Sequence, residues 1–184
     1  LCAPLFILLA GMSAGLMLTR QTPGQVRLYL LKRGAWLILL DFILISTLWN
    51  GGATSLPEFG QGIPLYFQVL GAIGVSMMVL GSLLGAPRRL LWLLALGILF
   101  LHNLLDPIWP GSSGEADPIW YGLHGYASVR AGIFSIVIFY PVLPWIGVML
   151  LGYLMSPLYS GEIRHRDQKL LITGVVGLGC FILL

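Results

Sequence analysis

The chain has 184 residues, 58% of them hydrophobic and 9% charged, with a formal net charge of +3. Soluble domains carry about a quarter charged residues, so the composition excludes an ordinary water-soluble enzyme and implies no nucleic-acid partner. At ~20 apolar residues per crossing, the length predicts a single all-α membrane domain over residues 1–184, a polytopic transmembrane helix bundle of about six spans whose fifth is broken by proline.

Leu1 to Thr19 reads as the first span, with Gly11 and Gly15 at the four-residue spacing that lets a neighbouring helix approach closely. It lacks the basic start and cleavage site of a signal peptide. Arg20, Arg27, Lys32 and Arg33 follow, with Pro23 and Gly24 marking the bend, and the second span runs to about Trp49. Asn50 to Pro64 is a Gly/Pro-rich loop without Lys or Arg. The third span, Leu65 to Ala86, repeats the small-residue spacing at Gly81 and Gly85. Pro87, Arg88 and Arg89 turn the chain into the fourth, Leu90 to Leu105. Asp106 to Arg130 is a long aromatic and acidic connection in which DPIW occurs at Asp106 and again at Asp117. Ala131 to Ser156 is the fifth span, Pro157 to Lys169 a polar loop, and Leu170 to Leu184 a shortened sixth. Both ends lie inside apolar runs, which reads as a fragment of a larger domain. The connections after spans one, three and five hold nine of the ten Lys and Arg residues. The positive-inside rule makes that face cytoplasmic, with the lipid bilayer as the first partner.

Few polar groups are placed to do chemistry. Asp41 falls near the middle of the second span, where a carboxylate needs protein, water or a cation around it; it is either a functional acid or a structural hydrogen-bonding group. His102, Asn103 and Asp106 stand at the end of the fourth span. His102 and Asp106 are four apart and share a helix face, so Asp106 would orient the imidazole as a general base, or the histidine simply favours a helix C-terminus. His124 lies in WYGLHGY beside Trp120. Its aromatic neighbours form either an interfacial belt or, with Trp109, a platform for the apolar face of a sugar. Arg20, Arg33, Arg88 and Arg89 would gather round a phosphorylated ligand, a task for which the guanidinium fork is suited, or else act as topology signals. Cys2 and Cys180 have no metal-ligand spacing, and no metal is expected.

Phe139 to Tyr153, FYPVLPWIGVMLLGY, interrupts an apolar run with Pro141, Pro144 and Trp145. Each proline removes a backbone donor, and broken backbone at membrane depth is tolerated only where protein or a cavity satisfies it. The segment therefore reads as one wall of an internal cavity, with Tyr140 and Trp145 facing a substrate. YPVLPWIGVMLLGY, with CAPLFILLAGMSAG (Cys2 to Gly15), KRGAWLILLD (Lys32 to Asp41) and HNLLD (His102 to Asp106), resembles the bacterial branch of the heparan-alpha-glucosaminide N-acetyltransferase catalytic-domain family. That resemblance implies a polytopic acyltransferase of the bacterial inner membrane, moving an acetyl group from cytosolic acetyl-CoA to a sugar or amino-sugar acceptor on the far side. The basic face would then meet CoA. In the family the proposed catalytic histidine precedes the block matching Cys2 to Gly15, so no residue here inherits its role. A small transporter or a non-catalytic membrane subunit is the alternative, since transporters also build sites from broken helices.

Overall fold

The computed structural model describes residues 2–51, 63–104, 118–159, 167–168, 170–175 and 179. The principal elements among the described residues follow one another as α1 (Cys2–Met17), α2 (Pro23–Leu40), a π-helical segment (Asp41–Ile45), α3 (Ser46–Gly51), β1 (Ile63–Phe67), α4 (Val69–Leu83), α5 (Arg88–Leu101), α6 (Pro118–His124), β2 (Ala127–Ala131), β3 (Phe134–Ile138) and α7 (Leu143–Tyr159). Local chemistry sets several of these boundaries. Helix α2 opens on a capping box, with Thr22 Oγ1 accepting from the Gln25 N–H and Gln25 Oε1 accepting from the Thr22 N–H. Pro23 occupies its first turn, where an N–H would have no helical partner. Pro144 takes a similar place in α7, so the proline that breaks the apolar run also starts the helix.

Glycine decides which helices touch. A Cβ on Gly11 would strike the Met149 carbonyl, one on Gly15 the Ser156 side chain, and one on Gly152 the Leu8 carbonyl. Helices α1 and α7 therefore lie in backbone contact and run parallel. In the same way Gly34 and Gly74 press each other's carbonyls, which draws α2 and α4 together in antiparallel fashion. Gly147 packs on Ala95, Ile98 and Leu99, setting α5 antiparallel to α7. Of the second small-residue pair, Gly81 meets Leu30 while a Cβ on Gly85 would meet nothing. Helices α1, α4 and α7 thus point one way and α2 and α5 the other. One end gathers Arg20, Arg88 and Arg89, and the other carries the sheet.

That sheet has the order β1-β3-β2, with β1 parallel to β3 and β2 antiparallel to it. Gly132, at φ 64°, begins the two-residue turn between β2 and β3. Strand β1 is an edge, and its outward donors are met from the first residue of the π-helical segment and the first residue of α3. Pro64 has no donor, the Tyr66 N–H donates to Ser46 Oγ at 2.9 Å, and the Gln68 N–H donates to Asp41 Oδ2 at 2.5 Å. Asp41 and Ser46 are five residues apart, which in an α-helix separates them by roughly 140°. The i→i+5 turn brings them back onto one side, where they face alternate amides of the strand.

The expectation of an all-α transmembrane bundle of six spans is overturned. A mixed sheet is present, and among the described residues no helix is long and apolar enough to cross a membrane. The main helices have 14 to 18 residues, about 21–27 Å at 1.5 Å per residue against a hydrocarbon layer of about 30 Å. The apolar runs are long enough, but part of each is spent elsewhere. The third run begins as the strand IPLYF and the fifth as FSIVI, both rich in the β-branched and aromatic residues that suit a pleated surface. The second run carries Arg27, Lys32 and Arg33 in its helix and then changes to π geometry at Asp41. The sixth predicted span and the loops 52–62 and 105–117 lie wholly or largely outside the described residues.

Candidate active site

At the sheet end, the last turn of α5, helix α6 and the start of α7 converge. The Val142 N–H donates to the Gly122 carbonyl at 2.9 Å, tying α6 to the entry of α7. Ile98 and Leu99 of α5 lie against Gly147, so His102, one turn further on, reaches the level of the first turn of α7.

This convergence brings two predicted residues together. The rings of His102 and His124 meet edge to face with centroids 5.9 Å apart, and Trp120 stacks obliquely on His124 at 5.5 Å. His102 Nδ1 lies 2.9 Å from the Ile98 carbonyl oxygen. A carbonyl only accepts, so Nδ1 carries a proton, and in the neutral imidazole the lone pair is then on Nε2. The orienting group described for His102 is therefore a backbone carbonyl of its own helix. Asp106, expected in that role, and Trp109 lie outside the described residues. Asn103 follows His102 in an exposed turn.

The remaining candidates are distributed elsewhere. Tyr140 and Trp145 contact each other with ring centroids 5.9 Å apart, and Trp145 Nε1 is a buried donor without a partner among the described residues. Asp41 is fully buried and does not join the histidines. Its Oδ2 accepts from Gln68, and the backbone N–H groups of Leu70 and Gly71 also point to the carboxylate. It closes the N-terminus of α4 from another helix, taking donors that an N-cap side chain normally satisfies. Burial penalises the charged carboxylate and pushes the Asp41 carboxyl above the usual carboxylate range, while these donors and the positive end of the α4 dipole counter that effect in part. Oδ1 has no partner.

The arginines do not form one cluster. Arg88 Nη2 donates to the Leu154 carbonyl at 2.8 Å near the C-terminal end of α7, and it borders a cavity of about 210 Å³ with Thr19, Tyr153 and Ser156. Arg20 and Arg89 are exposed at the same end. Arg33 stands apart on α2, over a different cleft. Sequence reasoning missed the aromatic stack of Trp49, Tyr66 and Phe139, with Tyr126 on its rim, which covers the sheet end at centroid spacings of 5.2 to 6.0 Å. It also missed Ser46, whose one signal was its five-residue spacing from Asp41.

Among the described residues no group of three or more His, Cys, Asp or Glu side chains is arranged to hold a metal ion. No curated protein and no solved structure matches the chain. The family described as heparan-alpha-glucosaminide N-acetyltransferase, catalytic, matches residues 1–180. With residues 1–180 matched, the chain belongs to the heparan-alpha-glucosaminide N-acetyltransferase catalytic-domain family, whose function is of the acetyltransferase type.

Proposed function

We propose that the protein is a membrane-associated acyltransferase that moves an acetyl group from acetyl-CoA to the amine or hydroxyl of a sugar-type acceptor. Family membership supports the reaction class and acetyl-CoA as the donor. The observation that carries the assignment of residues is the His102–His124 pair with His102 Nδ1 held by the Ile98 carbonyl. In this reading Nε2 of His102 takes the proton of the acceptor as its nitrogen or oxygen attacks the thioester carbonyl. The new C–N or C–O bond forms, the C–S bond breaks, and the imidazolium returns the proton to the departing CoA sulfur. His124, edge-on to His102, supports the imidazolium orientation. The indole N–H of Trp145 has no partner among the described residues, and a thioester carbonyl or sugar hydroxyl would satisfy it. The CoA phosphates are assigned to the opposite end, where Arg20, Arg88 and Arg89 lie. Donor and acceptor then approach from opposite ends of the helices.

The test is acetyl transfer from radiolabelled acetyl-CoA to glucosamine by purified protein, normalised to folded molecules. General-base catalysis contributes ~10²- to 10⁴-fold, so His102→Ala should lower kcat by about 10²-fold or more with little change in acetyl-CoA affinity. Near wild-type kcat in His102→Ala would refute the assignment.

A further inference from the structure

Helices α1 and α2 scarcely meet, because α1 is held to α7 and α2 to α4 by the glycine contacts described above. Between them lies a cleft of about 560 Å³, floored by Val69, Leu70, Ile73 and Met77 of α4. This is within the ~300–1,000 Å³ range of small-ligand sites. Its walls are apolar apart from Ser13, the Tyr29 hydroxyl and the guanidinium of Arg33. Arg33 Nη1 donates to Tyr29 Oη at 3.0 Å, and the guanidinium carbon stands 5.8 Å from the centre of the same ring. The cation is thus drawn one turn toward the start of α2 and fixed at one part of the cleft. From Tyr29 to Leu37 the groove continues for about 12 Å along α2 at 1.5 Å per residue.

Among the described residues the lining contains no acidic side chain. A polypeptide helix laid into this cleft without a carboxylate would bury the guanidinium unpaired, which is costly, and a neutral lipid would leave it equally unmatched. We propose that the cleft binds an anionic single-chain lipid, with its alkyl chain between α1 and α4 and its headgroup phosphate on Arg33. The guanidinium fork meets phosphate oxygens in pairs, and the apolar floor takes the chain. The proposal does not depend on the acyl-transfer reading, since the cleft lies between α1 and α2, whereas the histidine pair is carried by α5 and α6.

The purified chain, delipidated in a nonionic detergent, is titrated with a lysophosphatidate carrying a photoreactive diazirine on its tail, and the labelled residue is mapped by mass spectrometry. Labelling is expected on Phe6, Ala10 or Ile73. Unlabelled lysophosphatidate should compete at least tenfold better than a monoacylglycerol of the same chain, and inorganic phosphate should not compete. Arg33→Gln should abolish the preference for the anionic lipid, and Ser13→Trp, at an exposed position on the wall, should lower labelling by either lipid. Labelling outside the cleft, equal competition by the neutral lipid, competition by inorganic phosphate, or a retained preference in Arg33→Gln would each overturn the proposal. So would efficient disulfide cross-linking of Ser13→Cys between two chains, which would place a second copy in the cleft.

Discussion

Replacing Asp41 by alanine tests whether one buried carboxylate holds the sheet end together. Three backbone donors converge on it, from Gln68, Leu70 and Gly71. Hydrogen bonds to a charged acceptor contribute about 1.5–3 kcal/mol each, and buried donors left unpaired cost about 1–3 kcal/mol. Against this, alanine removes the penalty of burying a charge, and an ordinary cap substitution costs about 0.5–2 kcal/mol. A net loss of about 3 kcal/mol is the expected result, or roughly 150-fold in the folding equilibrium at ~1.4 kcal/mol per decade. Asp41→Asn keeps one acceptor and places its amide where Oδ1 has no partner among the described residues, so it should cost about 1 kcal/mol. Chemical unfolding in mild detergent, followed by tryptophan fluorescence, gives the stability. Amide exchange at Gln68, Leu70 and Gly71 gives the local effect, which should accelerate more in Asp41→Ala than in Asp41→Asn. Stability within 0.5 kcal/mol of wild type in Asp41→Ala, with unchanged exchange at those amides, would refute the capping account.

Ser46→Ala should leave the Tyr66 N–H without an acceptor and destabilise by about 1–2 kcal/mol, with faster exchange at Tyr66 as the specific sign. Gly11→Val should separate α1 from α7 and cost about 3 kcal/mol or more, because the obstacle is the Met149 backbone rather than a flexible side chain. The control Gly85→Ala, where a Cβ meets nothing, should be neutral or stabilising by a few tenths of a kcal/mol in the same thermal melt. Deleting one residue from 42–45 should return the π-helical segment to α geometry with Asp41 and Ser46 four residues apart and still on one helix face, so exchange at the Tyr66 and Gln68 amides should stay close to wild type.

Part of this architecture is legible in the residues. Gly11 and Gly15 announce a close helix contact, and the unequal placement of Lys and Arg anticipates that Arg20, Arg88 and Arg89 share one end. The sheet is not legible in the same way. IPLYF and FSIVI sit inside longer apolar runs, and a buried strand and a buried helix use the same residues with no periodicity to separate them. The role of Asp41 is hidden for a related reason: its partner is a helix start 27 positions later, and only the π-turn aims it there. His102 and His124 were each visible as candidates. Their meeting depends on how α6 is tied to Val142, which no spacing encodes.

The strand order β1-β3-β2 has a consequence for the path by which the protein folds. Strands β2 and β3 are joined by two residues, so the hairpin closes at small entropic cost and can form within microseconds. Strand β1 pairs with β3 across 71 positions, Ile63 beside Phe134, and contacts that distant in the chain form slowly. The preformed hairpin therefore waits with one edge of β3 open until α2, the π-turn and α4 have assembled and deliver β1. Asp41 and Ser46 then close the other side of β1 as it arrives, so the last strand added leaves no open edge of its own. A variant that slows this docking would expose the open edge of β3 for longer and should form intermolecular strand pairs during refolding of the full chain, even where its finished structure is as stable as wild type.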